Sequence, residues 1–169
     1  MHLSPTLVLR ASALLVAAAA LVACQTPTTT PTPTGPAAQP VPPPKPQARF
    51  ARPAQGSTIA RFDGNTNKGL DIAGSQGDPI VASADGRVVI VSSALRSMGT
   101  MVIVKHDEVY LTAYAHLDRA LVKENDVVRQ GQTIGEMGKS GTDRVKLHFE
   151  IRKQGAAVNP EPYLDGRLR

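Results

Sequence analysis

The sequence predicts an all-β fold, a compact antiparallel β-sheet or sandwich of many short strands. Two observations carry this. Val and Ile cluster in short runs bounded by Gly, Asp and Pro, which is the pattern of strands closed by tight turns. No window offers ten residues of convincing helical period. One run alternates strictly: in residues 146–152, Leu147, Phe149 and Ile151 share one face and Lys146, His148, Glu150 and Arg152 the other. A period of two marks a half-buried strand.

The elements follow in order. Asp78-Pro79-Ile80-Val81-Ala82 leads into Ala84-Asp85-Gly86-Arg87, and Asp-Gly between apolar runs predicts a hairpin there, because glycine tolerates the positive φ of such turns. Residues 87–92 form the next strand, and residues 100–105 another, alternating Thr-Met-Val-Ile-Val-Lys. His106-Asp107-Glu108 turns the chain, residues 109–116 return, and residues 131–135 make a short strand between glycines.

Composition divides the chain and excludes several functions. Ten of 14 prolines fall between Gln25 and Pro53, and 13 of 14 glycines from Gly56 onward. A single cysteine excludes an internal disulfide framework and a multi-cysteine zinc cluster. The charge of +5 is modest, and the basic residues are scattered; a nucleic-acid binder would concentrate them in a patch with stacking aromatics, so no nucleic acid is expected.

Residues 1–23 are nearly all apolar after Arg10. The run is short for a membrane span of ~20 residues and has the form of a signal-peptide core. It ends Leu21-Val22-Ala23-Cys24, which resembles the lipobox of bacterial lipoproteins. That resemblance implies lipidation at Cys24, with a membrane contact through the lipid anchor; several acyl chains anchor stably where one does not. Gln25, not Asp, follows the cysteine, which by resemblance implies the outer membrane, facing the periplasm. Residues 24–55, Pro- and Thr-rich with few large apolar groups, are expected to be a disordered tether, since they cannot bury enough surface to offset their ordering entropy. Residues 56–164 hold the folded unit, enough for one core, and 165–169 a basic tail.

Two histidines and an aspartate stand out. His116 ends Tyr114-Ala115-His116-Leu117, His148 lies in Leu147-His148-Phe149-Glu150, and Asp71 lies in Asn67-Lys68-Gly69-Leu70-Asp71-Ile72-Ala73. With Ala84-Asp85-Gly86-Arg87-Val88, these ordered motifs resemble the LytM domain, the lysostaphin-type (M23-like) zinc peptidases that cut peptidoglycan cross-bridges. The resemblance runs from about residue 57 to Leu164. It implies a small antiparallel β domain with a groove.

The resemblance also implies a site and its loss. Active members bind zinc through a His, an Asp four positions later and the second His of a His-x-His, assisted by two further histidines. The first ligand falls on Asn67, the second on Asp71 and the third on His148. The helpers fall on Lys146 and His116. Catalytic zinc needs three protein ligands and an open position, and Asn67 is a poor donor. Lys146 adds a cation: at ~5 Å and an effective dielectric of ~20, it repels a dication by about 6 kcal/mol. Without metal there is no activated hydroxide near neutral pH. The expectation is no metal, no cofactor and no peptidase activity, with the Lys146 ammonium paired to Asp71 in the vacated region.

A lipoprotein with this degenerate pattern most resembles the amidase-activating branch of the family. That implies activation of a periplasmic N-acetylmuramoyl-L-alanine amidase in cell separation, with peptidoglycan and the amidase as partners and Asn67, Asp71, His116, Lys146 and His148 as a partner-binding groove. Members of that branch usually carry a LysM wall-binding module, and residues 25–55 are too short and Pro-rich to hold one. Two alternatives stay open: a peptidoglycan-binding envelope lipoprotein, and a residual zinc metalloendopeptidase using His116 with Asp71 and His148.

Overall fold

A computed structural model describes residues 49–168. The signal segment, Cys24, most of the tether and Arg169 lie outside the described residues.

Ten strands form one antiparallel sheet: β1 (Thr58–Ala60), β2 (Leu70–Ala73), β3 (Pro79–Val81), β4 (Gly86–Ser92), β5 (Thr100–Lys105), β6 (Tyr110–Ala120), β7 (Val127–Val128), β8 (Thr133–Met137), β9 (Lys146–Lys153) and β10 (Ala156–Val158). A single helical turn, α1 (Glu161–Leu164), follows. The main strand order is β1-β2-β9-β6-β5-β4-β7; β10 pairs with β9, and β8 with both β3 and β6. β9 is therefore central, with β2 on one side and β6 on the other. Its alternation resolves as read: Leu147, Phe149 and Ile151 are fully buried. Leu70 and Ile72 of β2 join them, which leaves Asp71, between them in sequence, on the opposite face.

The Asp85-Gly86 hairpin does not form. β3 pairs with β8 and β4 with β5 and β7, and Gly86 is absent from the positive-φ glycines. The glycine is needed for a different reason: a Cβ there would lie 2.5 Å from the Lys105 carbonyl oxygen. The Asp85 carboxylate holds the Gln130 N–H at 2.7 Å and Arg129 at 3.0 Å, so Asp85 clamps a distant loop rather than turning the chain.

The packed unit also begins earlier than residue 56. Phe50 is fully buried, with edge contacts to His106, Tyr110 and Tyr163 at centroid distances of 5.3–6.1 Å. Ala54 is buried too, and the Arg49 guanidinium lies 4.3 Å from the centre of the Tyr110 ring. Residues 49–55 thus belong to the domain, because one aromatic side chain in the Pro-rich stretch supplies the apolar area that the rest of that stretch lacks.

β6 is longer than the sequence indicates, running on through His116 to Ala120. Its pairing with β5 slips between Val102↔Tyr114 and Thr100↔Leu117. β6 carries one extra residue there, a β-bulge that re-aims side chains.

Candidate functional site

The register of β2, β9 and β6 builds the site. Asp71 pairs with His148 across β2 and β9, and Ala115 pairs with His148 across β6 and β9. His116 follows at the bulge, at φ 64°, a left-handed conformation uncommon outside glycine and found at functional sites. Asn67 is placed by a turn in which the Asp63 carboxylate accepts the N–H groups of Asn65 and Asn67 and the Thr66 hydroxyl. Asn67, Asp71, His116, Lys146 and His148 all line one groove of about 360 Å³, with Lys68, Met98 and Glu150 among its other walls.

Within the groove the polar groups form a ladder of alternating charge. Lys146 Nζ donates to Asp71 Oδ2 at 2.6 Å, as the sequence leads one to expect, and His148 Nδ1 donates to Asp71 Oδ1 at 2.7 Å. His148 Nε2 donates to Glu150 Oε1 at 3.2 Å, and Arg152 Nε donates to Glu150 Oε2 at 2.8 Å. Carboxylate oxygens accept, so both ring nitrogens of His148 carry protons and the ring is an imidazolium. Its side chain is only 12% exposed and that of Glu150 only 6%. Burial pushes the His148 imidazolium down; the hydrogen bonds to Asp71 and then Glu150 more than reverse this and hold it at about 9. Burial likewise pushes Asp71 up, but His148 and then Lys146 hold its carboxyl below the ordinary value. Glu150 is held down against burial by His148 and Arg152.

His116 behaves in the opposite way. Its Nδ1–H donates to the Ser140 carbonyl at 2.8 Å, and its ring centre lies 6.1 Å from that of His148. Burial pushes its pKa down against the Ser140 carbonyl, and the Lys146 and His148 cations add to the effect. His116 is therefore neutral at pH 7, with Nδ1 as donor and Nε2 as acceptor. Ser140 is itself fixed: its hydroxyl donates to the Leu117 carbonyl at 2.6 Å and accepts the Thr100 N–H at 2.9 Å. Gly99, at φ 60°, makes room for it, since a Cβ would lie 2.3 Å from Ser140.

The donors as arranged do not fit zinc. Asp71 uses both oxygens, His148 both nitrogens, and the Asn67 carbonyl oxygen accepts the Gly69 N–H at 3.1 Å. Each of the three is engaged by another partner, His148 through both nitrogens, and among the described residues no cluster of three His, Cys, Asp or Glu is placed to hold a metal. Glu150 and Arg152 are the parts of the site that motif reading passes over. Their signal was the polar face of β9, which names a face but not a partner.

Residues 65–160 match the family model described as Peptidase family M23. The chain belongs to peptidase family M23. Among curated relatives, it is 53% identical over 120 residues to "Lipoprotein NlpD/LppB homolog" of Pseudomonas aeruginosa, covering 70% of this chain and 40% of that one. It is 48% identical over 124 residues to "Murein hydrolase activator NlpD" of Escherichia coli, covering 72% and 33%. The chain thus spans between a third and two fifths of the length of these relatives. Among solved structures, a zinc containing peptidase from Vibrio cholerae superposes with a TM-score of 0.63 at 28% identity, over 66% of this chain and 39% of that one. The fold of this M23 domain is thus that of a zinc peptidase, while the groove's Asp71 is paired with the chain's own cations.

Proposed function

We propose that this chain is a non-catalytic M23-domain lipoprotein of the outer membrane, lipidated at Cys24 and facing the periplasm, that activates a peptidoglycan amidase in cell separation. The ion ladder carries the reading. A groove in which Lys146, Asp71, His148, Glu150 and Arg152 satisfy one another leaves no set of three free ligands for a metal, and this fold's zinc chemistry needs a bound metal to activate water. The groove walls are nevertheless tied together by hydrogen bonds, as suits a surface that recognises a protein. The name of the E. coli relative, a murein hydrolase activator, supports the same role here. Asn67, Asp71, His116, Lys146 and His148 form the surface offered to the partner, and the Pro-rich segment ahead of Arg49 is the spacer between membrane and domain.

The deciding experiment is release of dye from labelled peptidoglycan sacculi. The full chain alone should release nothing, and an N-acetylmuramoyl-L-alanine amidase from the same envelope should release several-fold more dye when the chain is added. Hydrolysis by the chain alone overturns the reading in favour of a peptidase. Binding to sacculi without stimulation of any amidase replaces it with that of a wall-binding lipoprotein.

A further inference from the structure

Asp71 is met by two cations, one on each oxygen. The Lys146 ammonium takes Oδ2 at 2.6 Å and the His148 imidazolium takes Oδ1 at 2.7 Å. Between them they present two positive charges to one carboxylate, the charge a divalent ion would present. The imidazolium is in turn fixed by Glu150, which is only 4% exposed and is itself completed by Arg152. Lys146 is the one member of this set that faces only Asp71 among the carboxylates.

We propose that Lys146 and His148 are a built-in substitute for a divalent cation at Asp71, and that Lys146 is the group that keeps zinc out of this groove. A carboxylate holds zinc at ~2.0–2.2 Å. An ammonium nitrogen 2.6 Å from the same oxygen stands at nearly that distance, so a zinc ion on Oδ2 would meet it by volume as well as by charge. Loss of the first donor, at Asn67, is then a separate matter. Asn67 lines the same groove four residues before Asp71, and an imidazole placed there would still find Oδ2 taken. Removing the ammonium, by contrast, frees Oδ2, and zinc there can take its third ligand from His148 by displacing one of the ring protons to solvent. The inference concerns metal exclusion and stands whether or not the groove docks an amidase.

The test is a zinc titration of the full chain in detergent, read as bound zinc per chain and as the thermal midpoint with ZnCl₂ or EDTA. Wild type and Asn67→His should bind none, and neither addition should move their midpoints. Asn67→His/Lys146→Ala should bind one equivalent, with a midpoint that rises with zinc and drops in EDTA. Asn67→His/Lys146→Arg, which keeps a cation over Asp71, should stay metal-free. Zinc uptake by Asn67→His alone overturns the proposal, as does a folded Asn67→His/Lys146→Ala chain that takes up none. If that variant does not fold, the wild type decides. The Lys146 ammonium protons should give a slowly exchanging NMR signal with a cross-peak to the His148 ring, and a signal lost to solvent exchange overturns the proposal. Sacculus assays play no part in this readout, so failure here leaves the activator reading to its own test.

Discussion

His148 and His106 are both largely enclosed by the same sheet, yet the fold drives them to opposite charge states. His148 has a carboxylate against each ring nitrogen and is held as an imidazolium up to about 9. His106 donates from Nδ1 to the Asp85 carbonyl at 2.7 Å, and its Nε2 lies 2.8 Å from the Thr112 hydroxyl oxygen. Burial pushes its pKa down, and the Asp85 carbonyl only partly opposes this. Enclosure alone would neutralise both rings. The partners decide: ionised acceptors on both nitrogens keep a proton, while a neutral carbonyl on one nitrogen and a neutral hydroxyl beside the other do not offset burial. The charged histidine belongs to the groove. The neutral one belongs to a structural network that continues through Thr112 to Tyr114, whose hydroxyl accepts the Ser83 N–H at 2.8 Å.

The strongest way to break this contrast is Asp71→Asn. It keeps the shape but strands Lys146 and His148 without their shared anion, and breaking a buried pair from one side costs about 3–5 kcal/mol. Urea unfolding should show that loss at pH 7, and a change below ~1 kcal/mol would mean that the ladder holds little of the fold.

Next in size is the alkaline limb of stability. A histidine raised from 6.5 to about 9 stabilises the fold fully below pH 6.5 and loses that contribution as pH rises through about 9. The displacement is worth ~3 kcal/mol. Wild type should therefore weaken between pH 7 and 10 in thermal scans, and His148→Gln should flatten that region.

His106 gives the opposite limb. Its pKa is depressed in the fold, so its contribution is present above 6.5 and is lost as pH falls below that value. His106→Gln should remove its part of the acid limb, leaving His116 to act in the same window and the carboxylates near and below pH 4. It should cost ~1–3 kcal/mol at pH 7 through the lost bonds to the Asp85 carbonyl and the Thr112 hydroxyl. An unchanged acid limb would show that His106 does not titrate with unfolding.

The smallest effect is expected at Arg152, whose side chain is 43% exposed. Arg152→Ala should cost under ~1 kcal/mol, as half-exposed pairs do, and should raise the His148 pKa in an NMR titration, because a neighbouring cation is removed while Glu150 stays ionised. A larger loss would place Arg152 among the structural members of the ladder rather than at its edge.

Much of the fold was legible. The strand at 100–105, the turn at 106–108 and the period of two in residues 146–152 are local properties of side-chain order, and they resolve as β5, the β5–β6 turn and β9. The Asp85-Gly86 signal misled because that dipeptide serves a long-range contact, in which Asp85 holds residues 129–130 and Gly86 lets β5 approach. No local pattern separates the two uses. Phe50 was passed over because its neighbours are those of a tether, and only the partners Tyr110 and Tyr163 reveal where it packs. At the site, the motifs pointed to Asp71, His116, Lys146 and His148 together. They did not disclose the left-handed backbone of His116, which arises from a slip between β5 and β6.

By itself the sequence determined the β class, the polar and apolar faces of β9 and the replacement of two site histidines by Asn67 and Lys146. Each of these is carried by residue identity and period. Only the tertiary structure decided that Asp71 stands opposite His148, that Glu150 and Arg152 complete the row, and that His148 is charged while His106 and His116 are neutral. Register across β2, β9 and β6 sets those distances. A charge state depends on the groups a few ångströms away in space, which need not be near in the chain.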